Sequence, residues 1–250
     1  MTQPSPVSYA LQDNLAVITM NHPPVNSMGQ AMRAALLAAF EQALADDSAQ
    51  GILLQSATAL FCGGADISEF GTSKAFAEPS LPMVCNAIEA STKPVFAAIH
   101  GMALGGGCEL ALACDYRIAP PSAKLGLPEV HLGLLPGAGG TQRLPRLIDP
   151  ALALEMIVSG KPRSAKELAE AGLIDHIVEE DDFLAAAREY AQTQVQQGAP
   201  CKSCATIAPP AVPGEVFQEF RASIARKARG FFAPERCIEA VEAACSIPLA

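Results

Sequence analysis

The stretch "GMALGGGCEL", residues 101–110, limits what this chain can fold into more than any other. Three consecutive glycines stand between Leu104 and Cys108, and a lone carboxylate, Glu109, follows at once. Each glycine costs roughly 0.5–1 kcal/mol relative to alanine inside a helix or strand, so the run opposes continuous regular structure. It nevertheless sits between two apolar segments, "VFAAIH" (95–100) and "LALACDYRIA" (110–119). A flexible corner held between buried elements suits a place where a ligand must approach the backbone closely.

The same order recurs along the chain. "NLAVITM" (14–20) reads as a β-branched strand after a partner at Val7–Leu11, with "QDN" as the turn. "GQAMRAALLAAFEQALADD" is rich in alanine and leucine and reads as a helix. "GILLQSA" (51–57) is a buried strand, "FCGGADISEF" a glycine-rich loop, and Met83–Ser91 a helix. "VFAAIH" is the next strand, Gly107–Ala113 a short helix, and "YRIA" another strand. "LPEVHLGLLPGAGGTQRLPRL" is irregular, and helices follow after Pro150 and at Ser164–Ala171, then a last strand in "LIDHIV". Strand, loop and helix in repeated order predict an α/β fold with parallel strands, whose sites lie at the strand C-terminal ends. The expected organisation is a core at 1–197, a proline-rich linker at 198–214, and a C-terminal helical segment at 215–250. That segment carries helices near Glu215–Arg229 and Pro234–Cys245.

Charge narrows the partners. The chain holds 17 Lys and Arg against 26 Asp and Glu, a formal net charge of −9. This balance argues against nucleic acid or an anionic membrane as the main partner. No signal or transit peptide is recognisable in "MTQPSPVSYA", no apolar run approaches the ~20 residues that span a bilayer, and "IPLA" is no peroxisomal address. The expectation is a cytoplasmic protein with reduced cysteines. Cys201 and Cys204 form one CxxC, but two further ligands are missing from the neighbourhood, so no metal site is expected.

Nucleotide motifs fail. "GAGGTQ" places Gln142 where the third glycine of G-x-G-x-x-G belongs, and there is no P-loop, serine-hydrolase elbow or H-E-x-x-H. The four histidines, His22, His100, His131 and His176, lie far apart in sequence and read as surface or core imidazoles. Glycines can serve a carbonyl instead of a phosphate. A helix starting near Gly107 offers free N–H groups with a partial positive charge, and "FCGGADI" offers a second loop. Two such donors make an oxyanion hole for the charge that grows on a carbonyl oxygen during enolate chemistry. Glu109 and Glu129 are then candidates for acid–base work at the α-carbon and on water. Each also has a structural reading, Glu109 at a helix start and Glu129 on a surface turn.

"FCGGADI", "HGMALGGGCELALACDYRIA", "LGLPEVHLGLLPGAGGTQRLPRL" and "AEAGLIDHIV", in this order, resemble the crotonase superfamily, also called the enoyl-CoA hydratase/isomerase family. The likeness runs from about residue 8 to 195. It implies a spiral of ββα units closed by C-terminal helices and an acyl-CoA thioester substrate held by two backbone N–H groups. By motif position those donors are Gly63 and Gly106, and the two family glutamates match Glu109 and Glu129. Cys62, Gly64, Ala65, Asp66, Ile67, Gly105, Pro128 and Gly137 are implied as substrate-binding. No cofactor is implied, because coenzyme A is part of the substrate.

Retention of both glutamates points to enoyl-CoA hydratase activity in fatty-acid β-oxidation, with Δ3 to Δ2 isomerisation as an accompanying reaction. In hydratases of the family the residue matching Glu129 exchanges the α-carbon proton, and the one matching Glu109 helps activate water. The alternatives are another crotonase reaction, such as isomerisation alone or thioester hydrolysis, or a non-catalytic acyl-CoA-binding relative. "NHPPVNSM", "GADISEFG", "KPVFAAIHG" and "APERCIEAVEAACSIPL" are also similar to the front part of peroxisomal-type multifunctional β-oxidation enzymes. The implied partners are therefore a homotrimer or hexamer, or a 3-hydroxyacyl-CoA dehydrogenase part. Two departures concern the coenzyme A contacts: Ser68 replaces a lysine common in relatives, and the C-terminal segment lacks the usual basic run.

Overall fold

β-branched and other apolar residues buried on both faces make the central strands. The computed structural model describes residues 5–179, 181–226 and 228–249. β1 (Val7–Gln12) and β2 (Leu15–Met20) form an antiparallel hairpin turned at Asp13 and Asn14, both with positive φ. This is the two-residue turn that Asp and Asn tolerate best among residues with a side chain. α1 (Gln30–Ala45) returns the chain to β3 (Gly51–Ser56), which runs parallel to β2. α2 (Leu81–Glu89), started by the Ser80 hydroxyl accepting from Met83 N, leads to β4 (Val95–Ala98), parallel to β3.

Here the chain changes sheet. β5 (Met102–Leu104) precedes α3 (Gly106–Ala113), and β6 (Tyr116–Ala119) then pairs with β4. β7 (Lys124–Gly126) crosses again and runs parallel to β5. β4–β5–α3 is thus one ββα unit, and β6–β7 begins the next. α4 (Gly140–Leu147), α5 (Pro150–Ser159), β8 (Arg163–Ser164), α6 (Ala165–Glu170) and β9 (His176–Ile177) follow. α7 (Phe183–Gln196), α8 (Gly214–Ile224) and α9 (Ala233–Ala244) complete the order. The large sheet runs β1-β2-β3-β4-β6-β9 and the small one β5-β7-β8.

The alternation along the strands sorts their side chains into two cores. Ala16, Ile18 and Met20 join the cluster built with α1, α2 and α3, whereas Leu15, Val17, Phe96 and Ile118 pack under Phe183, Ala187, Ala191 and Val195 of α7. α9 contributes Cys237, Ile238 and Val241 to the first cluster, beside α4 and α5. Between α7 and α8 the chain is mostly irregular, with Cys204 buried and Cys201 exposed. Among the described residues no helix is long and apolar enough to cross a membrane, and no cluster of three His, Cys, Asp or Glu suits a metal ion.

The parallel α/β expectation holds, with differences in detail. "MAL" within the opening motif is strand β5 rather than loop, and "QRLPR" lies in α4 rather than in an irregular stretch. Helix α7 is a feature the sequence reading left out altogether. The expected helix near 215–229 ends at Ile224, and the strand in "LIDHIV" shrinks to two residues.

Candidate active site

Two glycine-rich loops meet at the end of the small sheet. Leu104 N donates to Cys62 O at 2.9 Å, Cys62 N to Met102 O at 3.1 Å, and Gly105 N to Gly126 O at 2.9 Å. These bonds stitch the 62–67 loop to β5 and β5 to β7. The approach is close enough to require glycine at two points. A Cβ on Gly64, at φ +103°, would lie 2.9 Å from Leu104 O, and one on Gly107 would lie 2.6 Å from Cys62 O. The sequence weakness of residues 105–107 is therefore the contact itself.

α3 begins inside this junction and is buried along its whole length. The N–H groups at its very start precede the first i→i−4 bond, Glu109 N to Gly105 O, and carry the positive end of the helix dipole. Gly106 N is one of them, and a Cβ on Gly106 would come within 3.7 Å of Ala65 N. The second donor differs from the expectation. Gly63 N–H donates to Val25 O at 2.8 Å, so Gly63 is already committed to holding its own loop. Ala65 is exposed, and its N–H makes no hydrogen bond among the described residues, which leaves Ala65 and Gly106 as the facing pair of free donors.

The carboxylates arrive from two directions. Glu109 lies in the first turn of α3 and is 2 % exposed. Its Oε1 accepts from Ala138 N at 2.6 Å and Gly140 N at 2.9 Å, at the start of α4. Burial raises its pKa, while those two N–H groups and the Arg143 charge oppose the rise. Glu129 lies on a 3-10 turn, Pro128–Leu132, that Pro128 opens. A Cβ on Gly105 would stand 3.0 Å from Glu129 Oε1, which places this carboxylate against the glycine corner. Its Oε2 is buried without a hydrogen-bond partner among the described residues. Burial first, and then the Glu109 charge, push the Glu129 pKa up to about 7. The two glutamates thus lie within electrostatic reach of each other, as the structural reading of either alone does not require.

The other expected residues divide by exposure. Ala65 and Ile67 are exposed on the loop, and Asp66 caps the following 3-10 turn by accepting from Ser68 N at 3.0 Å and Ser68 Oγ at 2.6 Å. Gly64 and Gly105 form the junction, Pro128 sets the Glu129 turn, and Gly137 lies exposed beside Ala138. Cys62 faces inward. Its thiol donates to Asn26 O, and burial pushes its pKa up to about 12, so its side chain is scaffold rather than ligand. His100 Nε2 donates to Thr58 O and His176 stacks on Tyr190, so both half-buried imidazoles have structural partners. Sequence reasoning missed Ala138, Gly140 and Arg143, which surround Glu109. Their signal was present in "PGAGGTQR", where glycines free N–H groups just before a helix.

An α/β spiral with a carboxylate pair at a corner of paired glycine loops defines a class. The chain belongs to the enoyl-CoA hydratase/isomerase family, whose pattern matches residues 10–206. It is 44% identical over 233 residues to a peroxisomal bifunctional enzyme of Danio rerio, covering 92% of this chain and 32% of that one. A glyoxysomal fatty acid β-oxidation multifunctional protein of Brassica napus is 40% identical over 241 residues, covering 92% of this chain and 33% of that protein. The chain therefore spans about a third of the length of these curated relatives. Among solved structures, an enoyl-CoA hydratase from Bacillus anthracis superposes with a TM-score of 0.72 at 31% identity, covering 96% of this chain and 89% of that one.

Proposed function

We propose that this chain is an enoyl-CoA hydratase that adds water across the double bond of trans-2-enoyl-CoA in fatty-acid β-oxidation. The observation that carries the proposal is the unequal carboxylate pair beside two free N–H groups. One carboxylate, Glu109, is held by two backbone donors, and the other, Glu129, is poised near neutrality with an unpaired oxygen. Unequal environments assign acid and base.

In this reading the thioester carbonyl lies between Ala65 N and Gly106 N, which stabilise the oxyanion as the enolate forms. Glu109, ionised, takes a proton from water as its oxygen adds to the β-carbon. Glu129, protonated, gives its proton to the α-carbon. One O–H and one C=C π bond are lost, and one C–O and one C–H bond form. The proton then passes back from Glu109 to Glu129 through solvent or product release. Glu129 also has the position for a second reaction, Δ3 to Δ2 isomerisation, removing and returning one proton along the acyl chain. Coenzyme A enters as part of the substrate, and no separate cofactor takes part.

Partners and place belong to the same proposal. The relatives' names join this kind of sequence to bifunctional and multifunctional enzymes, which is consistent with association with a 3-hydroxyacyl-CoA dehydrogenase part; a homotrimer or hexamer is the alternative. Those names place the relatives in peroxisomes or glyoxysomes, whereas the acidic chain was expected in the cytoplasm; fractionation of the source cells decides between them. The direct test is crotonyl-CoA, whose conjugated double bond absorbs in the ultraviolet. Purified protein should bleach that absorbance. Protein that binds acyl-CoA without bleaching it would not be a hydratase.

A further inference from the structure

We propose that Arg143, buried against Glu89, is a positioning residue that holds the Glu109 carboxylate in place for work on water. The inference rests on the hydratase reading above and adds to it the part of the fold that fixes one of its two carboxylates.

The geometry is continuous from the pair to the site. Arg143 Nη2 donates to Glu89 Oε2 at 2.6 Å and Nε to the same oxygen at 3.1 Å, with side-chain exposures of only 3% and 11%. Nη2 also reaches Asn86 Oδ1 at 3.0 Å, so α2 grips the guanidinium from two turns of helix. On its other side Nη1 donates to Ala138 O at 2.8 Å. Ala138 is the residue whose N–H lies 2.6 Å from Glu109 Oε1. Pinning the Ala138 carbonyl thus fixes the segment whose N–H groups hold Glu109. Gly139, between them at φ +100°, clears the way, because a Cβ there would fall 2.1 Å from Nη1. The far oxygen of Glu89 accepts from Ser203 Oγ and Ala205 N, both at 3.2 Å, which ties the same device to the segment leading to the C-terminal helices.

A buried ion pair often contributes little net stability. What this one does have is a charge placed toward a carboxylate. The groups facing Glu109 are Glu129 from the 3-10 turn, Arg143 from α4, Cys85 from α2, and Cys108 on its own helix, while Glu89 stands behind Arg143 and is bonded to it. Arg143 is the one cation among them and favours ionised Glu109; Glu89, bonded to Arg143, carries the opposite charge, so removing it leaves the Arg143 charge less compensated. Removing the two partners must therefore act on Glu109 in opposite directions.

The test compares Arg143→Gln, Arg143→Lys and Glu89→Gln with the unmodified chain, each checked for a cooperative melt. Arg143→Gln should lower kcat for hydration of crotonyl-CoA by about 10²-fold with KM within about threefold, the loss expected when a reacting group is misplaced by about 1 Å. Isomerisation of a 3-enoyl-CoA, which needs only Glu129, should fall by no more than about threefold. Arg143→Lys keeps the charge without the fork and should recover part of the lost rate. The acidic limb of the hydration profile should move up in pH for Arg143→Gln and down for Glu89→Gln. Equal loss of hydration and isomerisation, or limbs that move together or not at all, would overturn the proposal. If Arg143→Gln does not fold, Arg143→Lys and Glu89→Gln carry the same readouts. A carbon-13 titration of the Glu109 carboxyl reads the opposite displacements without turnover. It decides the matter for Arg143 even if the unmodified chain leaves crotonyl-CoA untouched, a result that would count against the hydratase reading alone.

Discussion

Glu109 on α3 and Glu129 on the 3-10 turn are one residue type in two neighbourhoods, and the difference is instructive. The α3 site is rigid: a wholly buried helix, two backbone donors on one oxygen, and a buried arginine behind them. The turn site is looser, with Oε2 buried but unpaired and no cation opposing the burial that raises its pKa. At Glu109 two hydrogen bonds and a cation oppose the upward push of burial, whereas at Glu129 burial and a neighbouring negative charge both push the pKa up. A fold can therefore hold a base and an acid a short distance apart without changing the amino acid.

Four substitutions or conditions sharpen that contrast. The largest effect should come from Glu129→Gln, which removes the proton carrier of both reactions. Hydration and isomerisation should each drop by about 10³-fold, within the range for a positioned general acid or base, in coupled ultraviolet assays. Glu109→Gln should lower hydration by about 10²-fold while isomerisation falls far less. Equal losses in both reactions would merge the two roles.

Gly105→Ala comes next. Its φ of +51° strains any side chain, and the added Cβ would press on Glu129 Oε1 at 3.0 Å. A loss of about tenfold in kcat/KM is expected, equivalent to about 1.4 kcal/mol of transition-state stabilisation. The acid must be protonated to give its proton, so hydration should decline as pH rises through about 7, the value to which burial lifts Glu129. A profile flat across that range would remove Glu129 as the acid.

The remaining effect is on stability rather than rate. The Glu129 carboxyl titrates near 4.5 in its ordinary state and near 7 in the fold, so the folded form binds the proton more tightly. Its stabilising share is complete below 4.5 and is lost as pH rises through about 7. Glu129→Gln should escape that loss and gain up to about 3 kcal/mol relative to the unmodified chain between pH 4 and 8, read from urea melts.

Much of the fold was legible because β2, β3, β4 and β6 are short apolar runs buried on both faces, which is how parallel strands read. Helix α7 carries a sequence signal too, in Phe183, Ala187, Ala191 and Val195 at spacings of four. β5, β7 and β8 were not. Strands of two or three residues carry no period, and they exist only because another segment offers hydrogen bonds. α4 was hidden by Pro145 and the glycines before it, and its arginines find tertiary partners, Arg143 at Ala138 O and Glu89, and Arg146 at Ile247 O.

By itself the sequence determined the α/β class, the ordered glycine motifs and the two candidate glutamates, since these reside in residue type and local order. The tertiary structure alone decided which N–H groups are free. "FCGGADI" offers several donors, and only the contact with Val25 shows that Gly63 is spent and Ala65 is not. It also decided that Glu109 and Glu129 share one corner, and that Arg143, reaching from α4 to α2, stands behind one of them. Hydrogen-bond satisfaction and electrostatic reach depend on distance between segments far apart in the chain, which no local pattern encodes.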